Sequence, residues 1–308
     1  MTTYQKVFQP VFDKLGLTIT RAFREGPRFY VAGGEYQGEK VVFKADLESE
    51  KKPLTKAWFK LRREAAFLES GDLKHIPNFY AKGTHRGFFW LLQERVPGES
   101  QEQGESTFLI KDSFFTPKNL EYCLEFLTTL HNLPQTNQNP KFKEFEEKFA
   151  KKYTLADYVA LIVSDRGELV GRKLTGRIDE LIGRSHKFFD AQQTVITHHE
   201  FFAPHIFVNG GKLNVIDWEN VGWGNPAYDF MELWIRSFAH PEFQAELLER
   251  FRAVHQDREV FDRLFALETV FQGLGNLKYF KAPEVAEERA VAGEVTAFLL
   301  KRIEQAVK

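Results

Sequence analysis

Short runs in which apolar and polar residues alternate dominate the first third of the chain. Residues 17–23 (LTITRAF), 28–34 (RFYVAGG) and 39–45 (EKVVFKA) carry the β-branched and aromatic content and the period of two that predict strands. REGPR (24–28) reads as a turn, and Gly33, Gly34 and Gly38 surround the join between the second and third runs. From Lys56 the period changes. In KAWFKLRREAAFLES, Leu61, Ala65 and Leu68 recur at i, i+4 and i+7, which predicts an amphipathic helix, and Gly71 follows as its stop signal. Residues 78–98 (NFYAKGTHRGFFWLLQERVPG) then read as two more strands that end at Pro97-Gly98. The expected N-terminal unit, 1–96, is a five-stranded antiparallel sheet with one helix inserted after the third strand.

Beyond it the pattern is mainly helical. The polar stretch 99–118 shows no period and reads as a connector or ordered loop. Leu120, Cys123, Leu124, Leu127 and Leu130 share one helical face, with a predicted stop at Pro134. The charged run QTNQNPKFKEFEEKFAKK predicts a solvated helix face with a loop. A helix is expected around 174–189. Residues 194–219 interrupt this pattern with two β-rich runs about the Gly210-Gly211 turn, and helices resume from Asp229. The last helix places Val295, Phe298, Leu299 and Ile303 on one face. The fold class is α+β: a small β-rich lobe, 1–96, followed by a larger helical lobe, 97–308, that carries one polar hairpin.

Composition narrows the function classes. Among 308 residues, 42 Lys+Arg balance 43 Asp+Glu, so the chain lacks the basic excess of a nucleic-acid-binding protein. No apolar run reaches the roughly 18 residues of a membrane span. The N-terminus, MTTYQKVFQPVFDKLG, lacks the apolar core of a signal peptide, which predicts a cytoplasmic protein without membrane or nucleic-acid partners. The single cysteine, Cys123, allows no internal disulfide and no cysteine-rich zinc site, and its apolar neighbours predict a core thiol.

Candidate chemistry concentrates in the hairpin 196–219, where His198, His199, Glu200, His205, Asp217 and Glu219 lie among Val, Ile and Phe. Polar groups so bracketed are costly to bury unless paired or bound to something. A polar turn with satisfied hydrogen bonds is one reading. The His-Glu-x-x-His helix of a zinc hydrolase is excluded, because His205 follows His199 by six positions and Pro204 breaks the helix. A mononuclear zinc site from His198 or His199, His205 and Asp217 stays open. Phosphoryl transfer fits the spacing better. It uses a loop carboxylate to orient the hydroxyl nucleophile, a metal-binding side chain five positions later, and an Asp after a further strand to hold the phosphate-bridging metal. Glu200, His205 and Asp217 stand in these places.

VIDWENVGWGNPAYDFMELW (215–234) resembles the metal-binding segment of the aminoglycoside phosphotransferase and choline kinase-like family. That family pattern runs Ile-Asp-Trp-Glu and then Gly-Asp-Pro-x-x-Asp-Leu. The resemblance implies a protein-kinase-like bilobal fold and transfer of the γ-phosphate of ATP, with Mg2+ or Mn2+, to a hydroxyl on a small-molecule acceptor. It assigns metal binding to Asp217, with His205 and Glu219 assisting, and catalysis to His198 and Glu200. Lys44 takes the place of the phosphate-binding lysine and Glu64 that of its helical partner. Gln93, Glu94 and Val96, in the run 93–98, fall where the family contacts adenine through backbone groups. Asp229 is expected to bond the backbone of the catalytic loop. The C-terminal helices are the expected acceptor region.

The two chemistry-bearing positions depart from the family's His-Gly-Asp-x-x-x-x-Asn segment: Glu200 replaces its Asp and His205 its Asn. Glu adds a methylene to the catalytic arm, and imidazole suits manganese or zinc better than magnesium. The alternatives are therefore a pseudokinase-like nucleotide-binding module and a kinase fold turned to another ligand or partner.

Overall fold

The computed structural model describes residues 2–48, 56–71, 73–160, 166–255 and 257–308. The chain divides into two compact units, one formed by 1–97 with 137–150 and 214–221, the other by the remainder. The first unit thus draws on three stretches of chain rather than on one N-terminal segment.

In the first unit, α1 (Thr3–Leu15) precedes a five-stranded sheet of β1 (Thr18–Glu25), β2 (Phe29–Tyr36), β3 (Glu39–Asp46), β4 (Phe79–His85) and β5 (Phe88–Glu94), with α2 (Lys56–Ser70) inserted after β3. The sheet order is β1-β2-β3-β5-β4, and all neighbouring pairs are antiparallel. Alternation gives the sheet two different faces. Tyr30, Ala32, Val41, Phe43, Ala45, Trp90 and Leu92 pack with Phe8, Val11 and Phe12 of α1 into one aromatic core. The opposite face carries Val42, Lys44 and Asp46 of β3, and α2 packs against β3, β4 and β5. The sequence pattern did not reveal α1, whose apolar residues are separated by polar ones. Its N-cap is Thr2, which accepts a bond from Gln5 N–H at 3.3 Å, and left-handed Gly16 ends it.

The charged run 137–150 is more than a solvated face. Its helix, Pro140–Lys148, buries Phe142 and Phe145, and Phe145 meets Phe67 of α2 at 5.3 Å between ring centroids. The helix predicted to stop at Pro134 spans Pro117–Thr136 and carries that proline in its last turn, where only one helical bond is lost. The stretch 99–118 is ordered: Glu99 and Ser100 pair with Val208 and Phe207, and Phe108, Leu109, Ile110 and Phe114 are buried.

The second unit is mainly helical. Its small sheet sets Gly222–Gly224 between Lys151–Lys152 and Val195–Thr197. A Cβ at Gly224 would collide with the side chain of Thr197, so glycine permits this close approach. Strand Ile206–Asn209 is followed by Gly210 and Gly211, both at positive φ, and then by strand Lys212–Val215, whose last residues belong to the first unit's stretch 214–221. The helices Arg258–Phe280 and Ala286–Ala306 pack together, with Val295, Leu299 and Ile303 buried and Gly273 facing Ile303. Cys123 is fully buried, and burial pushes its thiol well above the ordinary range. Among the described residues no helix is long and apolar enough to cross a membrane.

Candidate active site

Lys44 is the centre of the first unit's polar cluster. Its ammonium lies 2.8 and 3.0 Å from the two carboxylate oxygens of Glu64 and 2.8 Å from Asp217 Oδ1. β3 places Lys44 on the face towards α2, opposite Val31 and Leu91. Glu64 is fully buried on α2. Burial opposes the charge on Lys44, but Asp217 and Glu64 more than offset it and hold the ammonium above its ordinary range. Burial likewise pushes Glu64 upward, with Lys44 pulling it back.

Asp217 has φ 68° and ψ 60°, a left-handed conformation that non-glycine residues seldom adopt and that tends to mark functional sites. The next residue holds it there. Trp218 is fully buried, donates its indole N–H to Val215 O at 3.0 Å, and stacks on Phe67 of α2. Glu219 pairs with Lys60 at 2.6 Å, while its carbonyl accepts from Arg63 at 3.2 Å. Lys44, Glu64, Asp217 and Glu219 line one cavity of about 270 Å³. Asp217 and Glu219 offer it carboxylate oxygens, the ligand type that Mg2+ and Mn2+ prefer.

The run after β5 also has definite roles. Glu94 N–H donates to Asn78 O at 2.8 Å, its carboxylate accepts from Asn78 Nδ2 at 2.8 Å, and Arg95 N–H donates to Lys40 O at 2.9 Å. Gln93 and Val96 are buried. Among the described residues Val96 N–H makes no hydrogen bond, which leaves a backbone donor for a ligand. Gln93 Oε1 is buried without a partner.

In the second unit, Asp229 organises the loop that follows Val195–Thr197. One of its oxygens accepts His198 N–H at 2.7 Å and the other accepts His199 N–H at 2.9 Å. Burial pushes Asp229 up to about 7, against these two donors, which favour its charged form. His199 stands where the family has glycine and has φ 66°, a left-handed backbone. Its ring is held by Thr197 Oγ1 at 3.0 Å and by the rings of Tyr153 and Tyr228. Glu200 N–H donates to His198 Nδ1 at 3.2 Å, so His198 sets the backbone from which Glu200 projects. His205 Nδ1 lies 3.0 Å from Glu200 O. A carbonyl only accepts, so this contact puts the proton on Nδ1 and the lone pair on Nε2, the tautomer of a metal-ligating histidine. Phe201 pins the loop, fully buried and stacked on Phe126.

Asn225, where the family has Asp, is also fully buried and donates to Glu268 at 2.6 Å. The sequence did not point to Glu268, which lies 43 residues away on the helix Arg258–Phe280. Nor did it point to Lys60 or to the left-handed backbone of Asp217, since each depends on contacts distant in sequence.

The profile of the "Phosphotransferase enzyme family" matches residues 24–264. No curated protein matches the sequence. Solved structures resemble the fold at low identity. An aminoglycoside 2'-phosphotransferase-IIIa variant in its GDP complex superposes with a TM-score of 0.60 at 15% identity, over 98% of this chain and 96% of that one. Spectinomycin phosphotransferase APH(9)-Ia, bound to ADP and spectinomycin, gives 0.58 at 12%, over 99% and 98%. Aminoglycoside phosphotransferase APH(4)-Ia, bound to ADP and hygromycin B, gives 0.55 at 14%, over 96% and 98%. The fold is the protein-kinase-like one that the sequence implied.

Proposed function

Because the chain belongs to the phosphotransferase enzyme family, we propose that it transfers the γ-phosphoryl group of ATP to a hydroxyl of a small molecule. The observation that carries this reading is the Lys44–Glu64–Asp217 cluster lining the first unit's cavity. A buried lysine shared by two carboxylates supplies a fixed positive charge for phosphate and an acidic site for a cation. The nucleotide complexes of the APH(4)-Ia and APH(9)-Ia structures support the same reading.

In this account the adenine edge meets backbone groups of 93–97, with Val96 N–H as donor. Lys44, held in place by Glu64, binds the α- and β-phosphates. Asp217 would hold Mg2+ or Mn2+, with Glu219 and His205 assisting, and the cation would supply charge stabilisation for the phosphates. Glu200, set by His198 and by the Asp229-bonded loop, orients the acceptor hydroxyl and takes its proton as the oxygen bonds to the γ-phosphorus and ADP leaves. Catalysis of this kind is mostly positioning and charge stabilisation. The acceptor is a small molecule with a free hydroxyl group.

Glu200 and His205 favour a second reading, a nucleotide-binding module with little transfer. The longer carboxylate arm displaces the proton acceptor by about 1 Å, and such a displacement can cost roughly 100-fold in rate. A thermal-shift series with ATP, GTP and ADP against Mg2+, Mn2+ and Zn2+ tests both. A shift with ATP that depends on Mg2+ or Mn2+ is expected, because a ligand bound only by the folded chain raises its melting temperature. No shift with any nucleotide would overturn both readings.

A further inference from the structure

The turn between β1 and β2 has a backbone poorly suited to cradling phosphate. A phosphate-binding loop usually presents several backbone N–H groups, which glycines make accessible. Residues 24–28 here read Arg-Glu-Gly-Pro-Arg. Pro27 has no N–H, and Gly26 N–H is already donated to Phe29 O at 3.1 Å.

Side chains occupy the place that backbone donors leave. Arg24 and Arg28 both line the cavity that holds Lys44 and Asp217. Arg24 lies opposite Val31, and Val31 opposite Lys44, so Arg24 and Lys44 share one sheet face two strands apart, about 10 Å. The guanidinium of Arg28 rests over the Phe29 ring at 5.4 Å, yet its Nη2 is buried without a hydrogen-bond partner. Neither arginine has an ion pair or a side-chain hydrogen bond among the described residues. The cavity's carboxylates are otherwise engaged: Glu64 and Asp217 with Lys44, Glu219 with Lys60. The two guanidiniums are therefore the cavity-lining cations without a carboxylate partner among the described residues, and the buried Arg28 N–H donor without an acceptor points to an anion that supplies one.

We propose that Arg24 and Arg28 clamp the terminal phosphates of the nucleotide, with guanidinium forks replacing the backbone amides of a glycine-rich loop. This rests on the nucleotide-binding reading above and adds to it the groups that count phosphates. The fork geometry suits phosphate oxygens, so the clamp favours tri- over monophosphates.

Calorimetric titration of the full chain with ATP, AMP and inorganic tripolyphosphate tests the clamp. Arg28→Gln and Arg24→Gln should each weaken ATP and tripolyphosphate binding by about 10-fold or more, with AMP little changed. Arg28→Lys, which keeps the charge and loses the fork, should fall between. A purely structural role for either arginine would shift all three probes together or none. ATP binding that survives both glutamine substitutions overturns the clamp and leaves the nucleotide reading intact. Binding of tripolyphosphate but of neither nucleotide overturns the nucleotide reading, and the two arginines then stand as a polyphosphate clamp only where both glutamine substitutions weaken that binding; unchanged binding overturns the clamp as well. Binding of none of the three overturns both.

Discussion

Phe67 and Trp218 stack with ring centroids 4.5 Å apart and planes 23° from parallel, both fully buried. Phe67 lies one helical turn after Glu64, and Trp218 directly follows Asp217. One aromatic pair thus positions the two carboxylates that share Lys44. Trp218→Leu should lower stability by about 3 kcal/mol, as large-to-small core changes do, and should weaken ATP binding as well. Urea denaturation and an ATP titration check this. Unchanged ATP affinity in a folded variant would mean that Trp218 does not set the cluster.

Asp229 plays the corresponding part in the second unit, since its two oxygens receive the backbone N–H groups of His198 and His199. Asp229→Asn keeps the shape but turns an amide donor towards one of those N–H groups. A buried donor left without an acceptor costs about 1–3 kcal/mol, so the urea midpoint should fall by the corresponding amount. A neutral result would show that the loop holds its shape without Asp229.

Stability should also depend on pH in a defined direction. Burial pushes Glu268 up to about 8, while its bonds from Asn225 and Gln272 pull the other way, and burial pushes Asp229 up to about 7. In the unfolded chain both lose their protons near pH 4. The folded state therefore binds more protons over the interval between, and its stability falls as pH rises. Burial lowers His131 to about 3 and His255 to about 4, which has the opposite effect, but only below the ordinary histidine value of about 6.5. From pH 6.5 to 8 the histidines no longer contribute, and Glu268 and Asp229, with Glu64 raised in the same direction by its burial, each lower stability by up to about 1.4 kcal/mol per pH unit. Denaturation across that range should show the decline, and Glu268→Gln should make it shallower. A wild-type chain that gains stability over the same range contradicts the assignment.

The loop that carries Glu200 and His205 separates the two proposed readings. If the loop is tuned to its longer carboxylate, Glu200→Asp should reduce phosphate transfer or ATP hydrolysis by roughly 100-fold through misplacement. A large rate gain in Glu200→Asp or His205→Asn would instead identify a binding module that has lost its chemistry.

Much of this was legible in the sequence because it depends on local period. Val41, Phe43 and Ala45 alternate with Lys44 and announce β3, and Leu61, Ala65 and Leu68 announce α2. The hairpin about Gly210-Gly211 follows from its turn residues. What stayed hidden depends on tertiary contact. The Phe8–Val11–Phe12 face of α1 makes sense only against the sheet it covers. Phe142 and Phe145, set among lysines and glutamates, look solvated until Phe67 is seen beside Phe145, with Phe142 packed on Phe145 in turn. The Lys60–Glu219 pair and the burial of Arg28 Nη2 without a hydrogen-bond partner among the described residues depend on segments that the sequence does not bring together.

The central claim, that Asp217 joins a divalent cation and a triphosphate to Lys44, is tested most directly by calorimetric titration of ATP with and without Mn2+, in wild type and Asp217→Asn. The account predicts that Mn2+ tightens ATP binding to the wild-type chain and that this gain disappears in Asp217→Asn. An Asp217→Asn chain that binds ATP with the full wild-type response to Mn2+ would contradict it.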